Sequence, residues 1–190
     1  MNNNNIHIVG ISGSLRKGSY NTALLNAAKE LLPEGMTMEI ASIADIPLYN
    51  GDLDLPAVKE RPANVVLFRD ILAKADAVLF VSPEYNYSIP GGLKNAIDWA
   101  SRGEDSPLLN KPAALMGVTP GMWGTIRMQV AFKPVFQFLN MTGLNKPEIL
   151  VAKAKEKFDE TGKLTDTTTR DLVIKQLEAL KNLILRIKKG

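Results

Sequence analysis

The sequence predicts an α/β protein: a doubly wound, three-layer sandwich built on a five-stranded parallel sheet in the order 2-1-3-4-5. Three observations lead there. Five short apolar runs alternate with five segments of helical periodicity. Two of those runs lie in ADAVLFVS at 75–82, apolar between Asp76 and Ser82, and in KPAALMGVT at 111–119, apolar between Lys111 and Thr119, the pattern of strands covered on both faces. Right-handed crossovers then leave few windings, and in the one adopted here ligands lie beyond the carboxyl ends of strands one, three and four.

The elements follow in chain order. Strand one runs from about His7 to Ser12 and places His7 near the surface without a catalytic role. A helix follows Asn21, with Leu24, Leu25, Ala28, Leu31 and Leu32 at helical spacing and Pro33 and Gly35 as its stop. Thr37 to Ile43 alternates as a strand. Asp45 to Pro62 is a long polar connection with four prolines or glycines that break regular structure. Its Asp52 and Asp54 read as solvated loop carboxylates, since no third metal ligand has suitable spacing, and a loop of this length can rim a pocket.

Helix two spans about Ala63 to Lys74, and the buried strand at 75–82 comes next. Helix three has Pro90 near its first turn and turns Leu93, Ala96, Ile97 and Ala100 inward. After the second buried strand, a helix from about Thr125 to Met141 should kink at Pro134. A short strand covers about Glu148 to Ala152, and Asp159 to Gly162 is a turn. The last helix starts near Asp166 and aligns Val173, Leu177, Leu180, Ile184 and Ile187.

Composition removes whole classes of chemistry. The 190 residues suit one domain, 1–190, with residues 1–5 expected to be disordered. There is no cysteine and one histidine, so disulfides, thiolate metal sites, cysteine nucleophiles and His-rich metal sites are all excluded. A net charge of +3 with scattered lysines gives no footprint for nucleic acid. Arg186, Lys188 and Lys189 read as cations at a helix C-terminus. No apolar run reaches the roughly 18 residues of a membrane span, and the first residues lack a signal-peptide core, so a cytoplasmic location is expected.

Three unusual loops are expected to converge at one end of the sheet. The first, Ser12 to Thr22, passes from a strand through hydroxyls and glycines into a helix start. Unpaired N–H groups and the helix dipole favour an anion there. It matches neither GxGxxG nor GK[ST]. It offers Ser12, Ser14, Ser19 and Thr22 hydroxyls, the Asn21 amide and the Arg16 guanidinium, a set suited to a phosphate monoester. The plainer reading is a polar turn capping a helix. The second loop, from Ser82 to Leu93, sets Tyr85 and Tyr87 around Asn86, which suits a flat heteroaromatic ring and equally a tight turn before a helix. In the third, Val118 to Gly124, the small residues allow close backbone approach to a ligand, and Trp123 fits core, lid or subunit contact alike.

GSLRKGSYNT, PEYNYSIPGGLKNAIDW and TPGMWGTIRMQ together resemble the NADPH-dependent FMN reductase family, which includes quinone and chromate reductases and some azoreductases. With the element order, the resemblance covers nearly the whole chain. It implies a flavodoxin-like fold, bound FMN and a homodimer or homotetramer. It implies two-electron, ping-pong transfer from NADPH or NADH through flavin N5 to quinones, chromate, azo compounds or flavins. By the same resemblance the phosphate falls on Ser14, Arg16, Ser19, Asn21 and Thr22. The ring falls on Pro83, Glu84, Tyr85, Asn86, Tyr87 and Ser88, with Thr119 and Gly121 contributing from the third loop. Many members carry Gly–Gly before the arginine of the fourth-helix segment; here Gly124–Thr125–Ile126–Arg127 stands instead and leaves the role of Arg127 open.

No acid–base pair is needed, since a flavin carries the chemistry and the protein orients it. Glu84 reads as an anchor of its loop or a subunit contact. The main alternative function is a flavodoxin-type electron carrier, which binds FMN without NAD(P)H turnover; a phosphatase on this winding would want a first-loop cysteine.

Overall fold

In this computed structural model, which describes residues 5–189, the chain begins with β1 (Ile6–Ser12), α1 (Tyr20–Glu30) and β2 (Met36–Ala41). It continues through α2 (Ala63–Ala73), β3 (Ala77–Val81), α3 (Gly91–Ala100) and β4 (Pro112–Val118). It ends with α4 (Ile126–Phe138), β5 (Thr142–Gly143), β6 (Ile149–Val151) and α5 (Thr167–Ile187). All pairings are parallel and the order is β2-β1-β3-β4-β5, with β6 also on β4. This is the flavodoxin-like winding that the sequence predicts. The expectation for residues 1–5 concerns mainly residues 1–4, which lie outside the described residues.

The period of two in each strand sorts side chains onto two cores. Ile6 and Ile8 of β1, Ala77, Leu79 and Val81 of β3, and Ala114 and Met116 of β4 pack under α1 and α5. Val9, Ile11, Val78, Phe80 and Ala113 face the other way, toward α2, α3 and α4, where Phe80, Phe132 and Phe136 cluster. The continuous apolar runs are therefore buried on both faces, as expected of central parallel strands.

Three expectations are corrected. The fifth strand position is split: β5 pairs with Pro112 and Ala113, and β6 with Met116 to Val118. Between them runs the segment with Pro147, which has no N–H to donate to a ladder. α4 ends at Phe138 rather than Met141. Asp54 is not solvated: it is 2% exposed and paired with the Arg61 guanidinium, itself 8% exposed.

That pair belongs to a clasp on the long connection. Arg61 reaches Asp105 at 3.3 Å, and Arg69 donates to the carbonyls of Trp99 (2.9 Å) and Arg102 (3.1 Å). Burial pushes the Asp105 carboxyl up, but Arg69 and Arg61 outweigh it and hold the group below its ordinary range. Trp99 is fully buried and donates its indole N–H to the Pro47 carbonyl at 2.8 Å. The connection is thus pinned at both ends, although Leu48, Leu53 and Leu55 remain exposed.

At the amino end of the sheet, Asp76 accepts from the His7 N–H at 2.9 Å and pairs with Lys188 at 2.7 Å. One of the C-terminal cations therefore closes α5 onto the sheet. Among the described residues, no helix is long and apolar enough to cross a membrane, and no group of three or more His, Cys, Asp or Glu side chains is placed to hold a metal.

Candidate functional site

The three loops leave adjacent strands at the same end. Ser12 ends β1 beside Val81 of β3, and Val81 lies beside Met116 of β4. The backbone knits across the gaps: Gly13 N–H donates to the Val81 carbonyl (2.9 Å), and Ser82 N–H donates to the Met116 carbonyl (3.0 Å). Two glycines make this close approach possible. A Cβ on Gly13 would meet Ser82 Oγ at 2.2 Å, and one on Gly117 would meet Thr125 Oγ1 at 1.9 Å. Small residues thus form the floor at the strand ends, each hydroxyl filling its neighbour's missing side chain.

In the first loop, Ser19 caps α1: its hydroxyl accepts from the N–H groups of Asn21 (3.2 Å) and Thr22 (3.3 Å). Thr22 Oγ1 and Ser12 Oγ lie 2.8 Å apart and brace the loop's two ends. Arg16 is exposed and folds its guanidinium back on the Gly18 carbonyl. The N–H groups of Leu15, Lys17 and Gly18 have no acceptor among the described residues. The result is a short arc of free donors with one guanidinium at a helix start, the chemistry of an anion site.

Asn21 sits differently from the other polar residues of this loop. It is 4% exposed, and its carboxamide accepts from Val118 N–H and donates to the Val118 carbonyl, both at 2.9 Å. Expected as a direct ligand, its side chain instead ties the start of α1 to the end of β4.

The second loop is a tight hairpin. Tyr85 and Ser88 exchange two backbone hydrogen bonds, of 3.1 and 3.0 Å, around Asn86 and Tyr87. Tyr85 is 50% and Tyr87 69% exposed. Leu15 of the first loop is also exposed and lies 4.0 Å from where a Gly92 Cβ would stand, so the first loop reaches the start of α3. Glu84 points the other way. Its Oε2 accepts from Arg127 N–H (2.9 Å) and Met128 N–H (3.1 Å), capping α4. The expectation of a structural anchor is met, and direct contact of this carboxylate with a ligand is not what the geometry offers.

In the third loop, Thr119 Oγ1 accepts from Gly121 N–H at 3.3 Å, and Thr119 is held by backbone bonds to Val151 and Ala154. Met122 and Trp123 are 67% and 68% exposed, so Trp123 is not core. Sequence reasoning left Arg127 open. Its guanidinium lies 4.2 Å from the Tyr87 ring centroid and 5.3 Å from that of Trp123, joining the second and third loops. No side chain of α4's first turn is acidic, and that was the only sequence hint that a distant carboxylate would cap it.

A cavity of about 660 Å³ lies to one side of the converging loops. It opens between the outer face of α1 and the turn at Asp159–Gly162 and shares only Lys17, Gly18, Ser19, Tyr20 and Thr22 with the first loop. Lys17, Lys163 and Arg170 there are matched in number by Glu30, Asp159 and Glu160, so its lining carries no net formal charge. The converging loops form an open platform rather than a hole: donors at one end, exposed aromatic rings at the other.

Comparison with known proteins identifies the family of the chain. The model of the NADPH-dependent FMN reductase family matches residues 6–156. An NAD(P)H-dependent FMN reductase of Pseudomonas aeruginosa is 47% identical over 186 residues, which cover 96% of this chain and 97% of that protein. A quinone reductase of Escherichia coli is 40% identical over 185 residues, covering 96% and 97%. Among solved structures, a flavoenzyme NAD(P)H:(acceptor) oxidoreductase from Paracoccus denitrificans superposes with a TM-score of 0.85 at 32% identity, covering 95% of this chain and 98% of the other.

Proposed function

The chain belongs to the NADPH-dependent FMN reductase family, and on that premise we propose that the three loops at the carboxyl end of its sheet form the FMN site of a single domain. The protein is an FMN-dependent NAD(P)H oxidoreductase of the FMN reductase and quinone reductase type. When bound, FMN supplies the hydride-accepting and hydride-donating chemistry.

The observation that carries the site assignment is the arc of unpaired N–H groups with Arg16, one strand away from a hairpin of exposed tyrosines. A phosphate monoester fits the arc. Ser14, Arg16 and the Ser19 end of α1 would hold it, with Thr22 bracing the arc through Ser12. Pro83 to Ser88 would hold the ring, Tyr85, Asn86 and Tyr87 directly. Thr119 and the backbone at Gly121 would approach its polar edge, where N–H donors favour a developing negative charge. Asn21 and Glu84 would serve the site from behind, by fixing α1 and α4.

Donor and acceptor would use the same open face in turn, which gives ping-pong kinetics: parallel lines in double-reciprocal plots. The acceptors we assign are quinones and other two-electron acceptors such as chromate, azo compounds and free flavins. A reaction fed by NADPH or NADH belongs with that pool, in the cytoplasm. The assembly we assign is a homodimer or homotetramer through α4. Ile126, Val130 and Phe138 form an exposed apolar stripe there, continuous with Trp123 at the site mouth. A second copy on this face would finish the rim of the platform.

The test is turnover. FMN-loaded protein should oxidise NADPH with a quinone and give parallel double-reciprocal lines; intersecting lines would reject the ping-pong order. A flavin that NADPH cannot reduce would instead describe an electron carrier.

A further inference from the structure

The hairpin that presents the tyrosines is strained. Asn86 and Tyr87 both have positive φ, +50° and +64°. Two consecutive left-handed residues closed by paired hydrogen bonds make a primed turn, whose preferred second residue is glycine. Asparagine tolerates that region, but a tyrosine there is disfavoured and persists only where its surroundings impose it.

The surroundings here are one helix end. Before the turn, Glu84 caps α4 through two backbone N–H groups, and its Oε1 lies 3.5 Å from Arg127 Nη1. Within it, the Arg127 guanidinium lies over the Tyr87 ring. α4 has no cap of its own: Thr125, at its N-cap, has φ +69°, makes no capping bond, and its buried hydroxyl has no partner. The residue that leads into the strained turn and one of its two left-handed residues are thus tied to the same rigid element, and that element depends on Glu84 for its end.

We propose that Glu84 is a positioning residue: by capping α4 it holds the Tyr85–Ser88 hairpin in its left-handed conformation before FMN arrives. This rests on the assignment of the hairpin to the flavin ring. If the competent conformer is populated only in part when the tie is cut, the apparent FMN dissociation constant rises by the reciprocal of that fraction.

The experiment compares full-length wild type with E84A, E84Q and R127A. It measures FMN affinity by flavin fluorescence, the flavin midpoint potential, melting temperature, and hydrogen exchange at residues 85–88 with and without FMN. E84A should raise the FMN dissociation constant about tenfold, and E84Q, which keeps an acceptor oxygen for the α4 N–H groups, about threefold. R127A leaves the backbone cap and removes the side-chain contacts to Tyr87, Trp123 and Glu84 Oε1, so it should fall in between. Amides 85–88 of the FMN-free variants should exchange faster than in wild type, and the midpoint potential should shift.

A folded E84A with wild-type affinity, potential and exchange overturns the proposal even if it melts earlier. Where E84A does not fold, E84Q and R127A decide by the same readouts. If FMN protects none of residues 85–88 in wild type, the ring assignment fails and the proposal falls with it; protection in wild type with unchanged variants rejects Glu84 alone.

Discussion

The carboxamide of Asn21 grips the main chain of Val118, accepting from its N–H and donating to its carbonyl at 2.9 Å each, across 97 positions of sequence. The first residues of α1 are thereby fixed to the end of β4, so the first and third loops keep a set separation. Both partners are buried. Asn21→Ala should cost about 1–3 kcal/mol of stability, the penalty for leaving buried main-chain groups unpaired. Chemical denaturation of the FMN-free protein measures this; an unchanged midpoint would show that Asn21 acts only on a ligand.

Arg16 makes the opposite case. It is exposed and bonds only a carbonyl of its own loop. Arg16→Ala should leave the FMN-free protein within about 0.5 kcal/mol of wild type. It should weaken FMN by roughly 1.5–3 kcal/mol, the range of a hydrogen bond to a charged group. Titration with riboflavin, which lacks the phosphate, should show little difference between the two proteins. An equal loss for both ligands would move Arg16 to the ring.

Asp166 governs part of the acid limb of stability. Its carboxylate accepts from the Thr169 hydroxyl (2.6 Å) and N–H (2.8 Å) and pairs with Lys157 at 3.0 Å. Thr169 first, then Lys157, lowers its pKa from 3.8 to about 2. A pKa lower in the folded than in the unfolded state stabilises above the unfolded value and is lost as pH falls through the folded one. Asp166→Asn should therefore flatten the pH dependence of melting between about pH 4 and pH 2, measured by calorimetry.

The stripe on α4 makes a prediction about assembly. Val130 is 54% and Phe138 73% exposed. Val130→Arg should shift the protein toward monomer in sedimentation velocity while its circular dichroism stays unchanged. A wild type that is monomeric at all concentrations would reject this face as the contact.

Much of the fold was legible because periodicity is local. β3 and β4 were plain as unbroken apolar runs, and α5 as an aligned row of Val173, Leu177, Leu180 and Ile184. The split fifth strand was not, since two residues of β5 carry no period at all. In the site, the loops and their convergence could be read from hydroxyls, tyrosines and glycines at strand ends. The ties made by Asn21 and, outside the site, by Asp54 could not, and Glu84 was readable as an anchor but not as the cap of α4. Each is a polar side chain whose meaning depends on a partner that folding brings to it: Val118, the α4 N-terminus and Arg61. A hydrophobic pattern encodes which face is buried, not which polar group waits there.

The central claim is that this platform holds an FMN which NADPH reduces and an acceptor reoxidises. The visible spectrum of FMN-loaded protein under anaerobic conditions tests it most directly. The visible flavin band should bleach on adding NADPH or NADH and return on adding a quinone. Protein that takes up no FMN, or whose yellow colour persists with either nucleotide, would contradict the account.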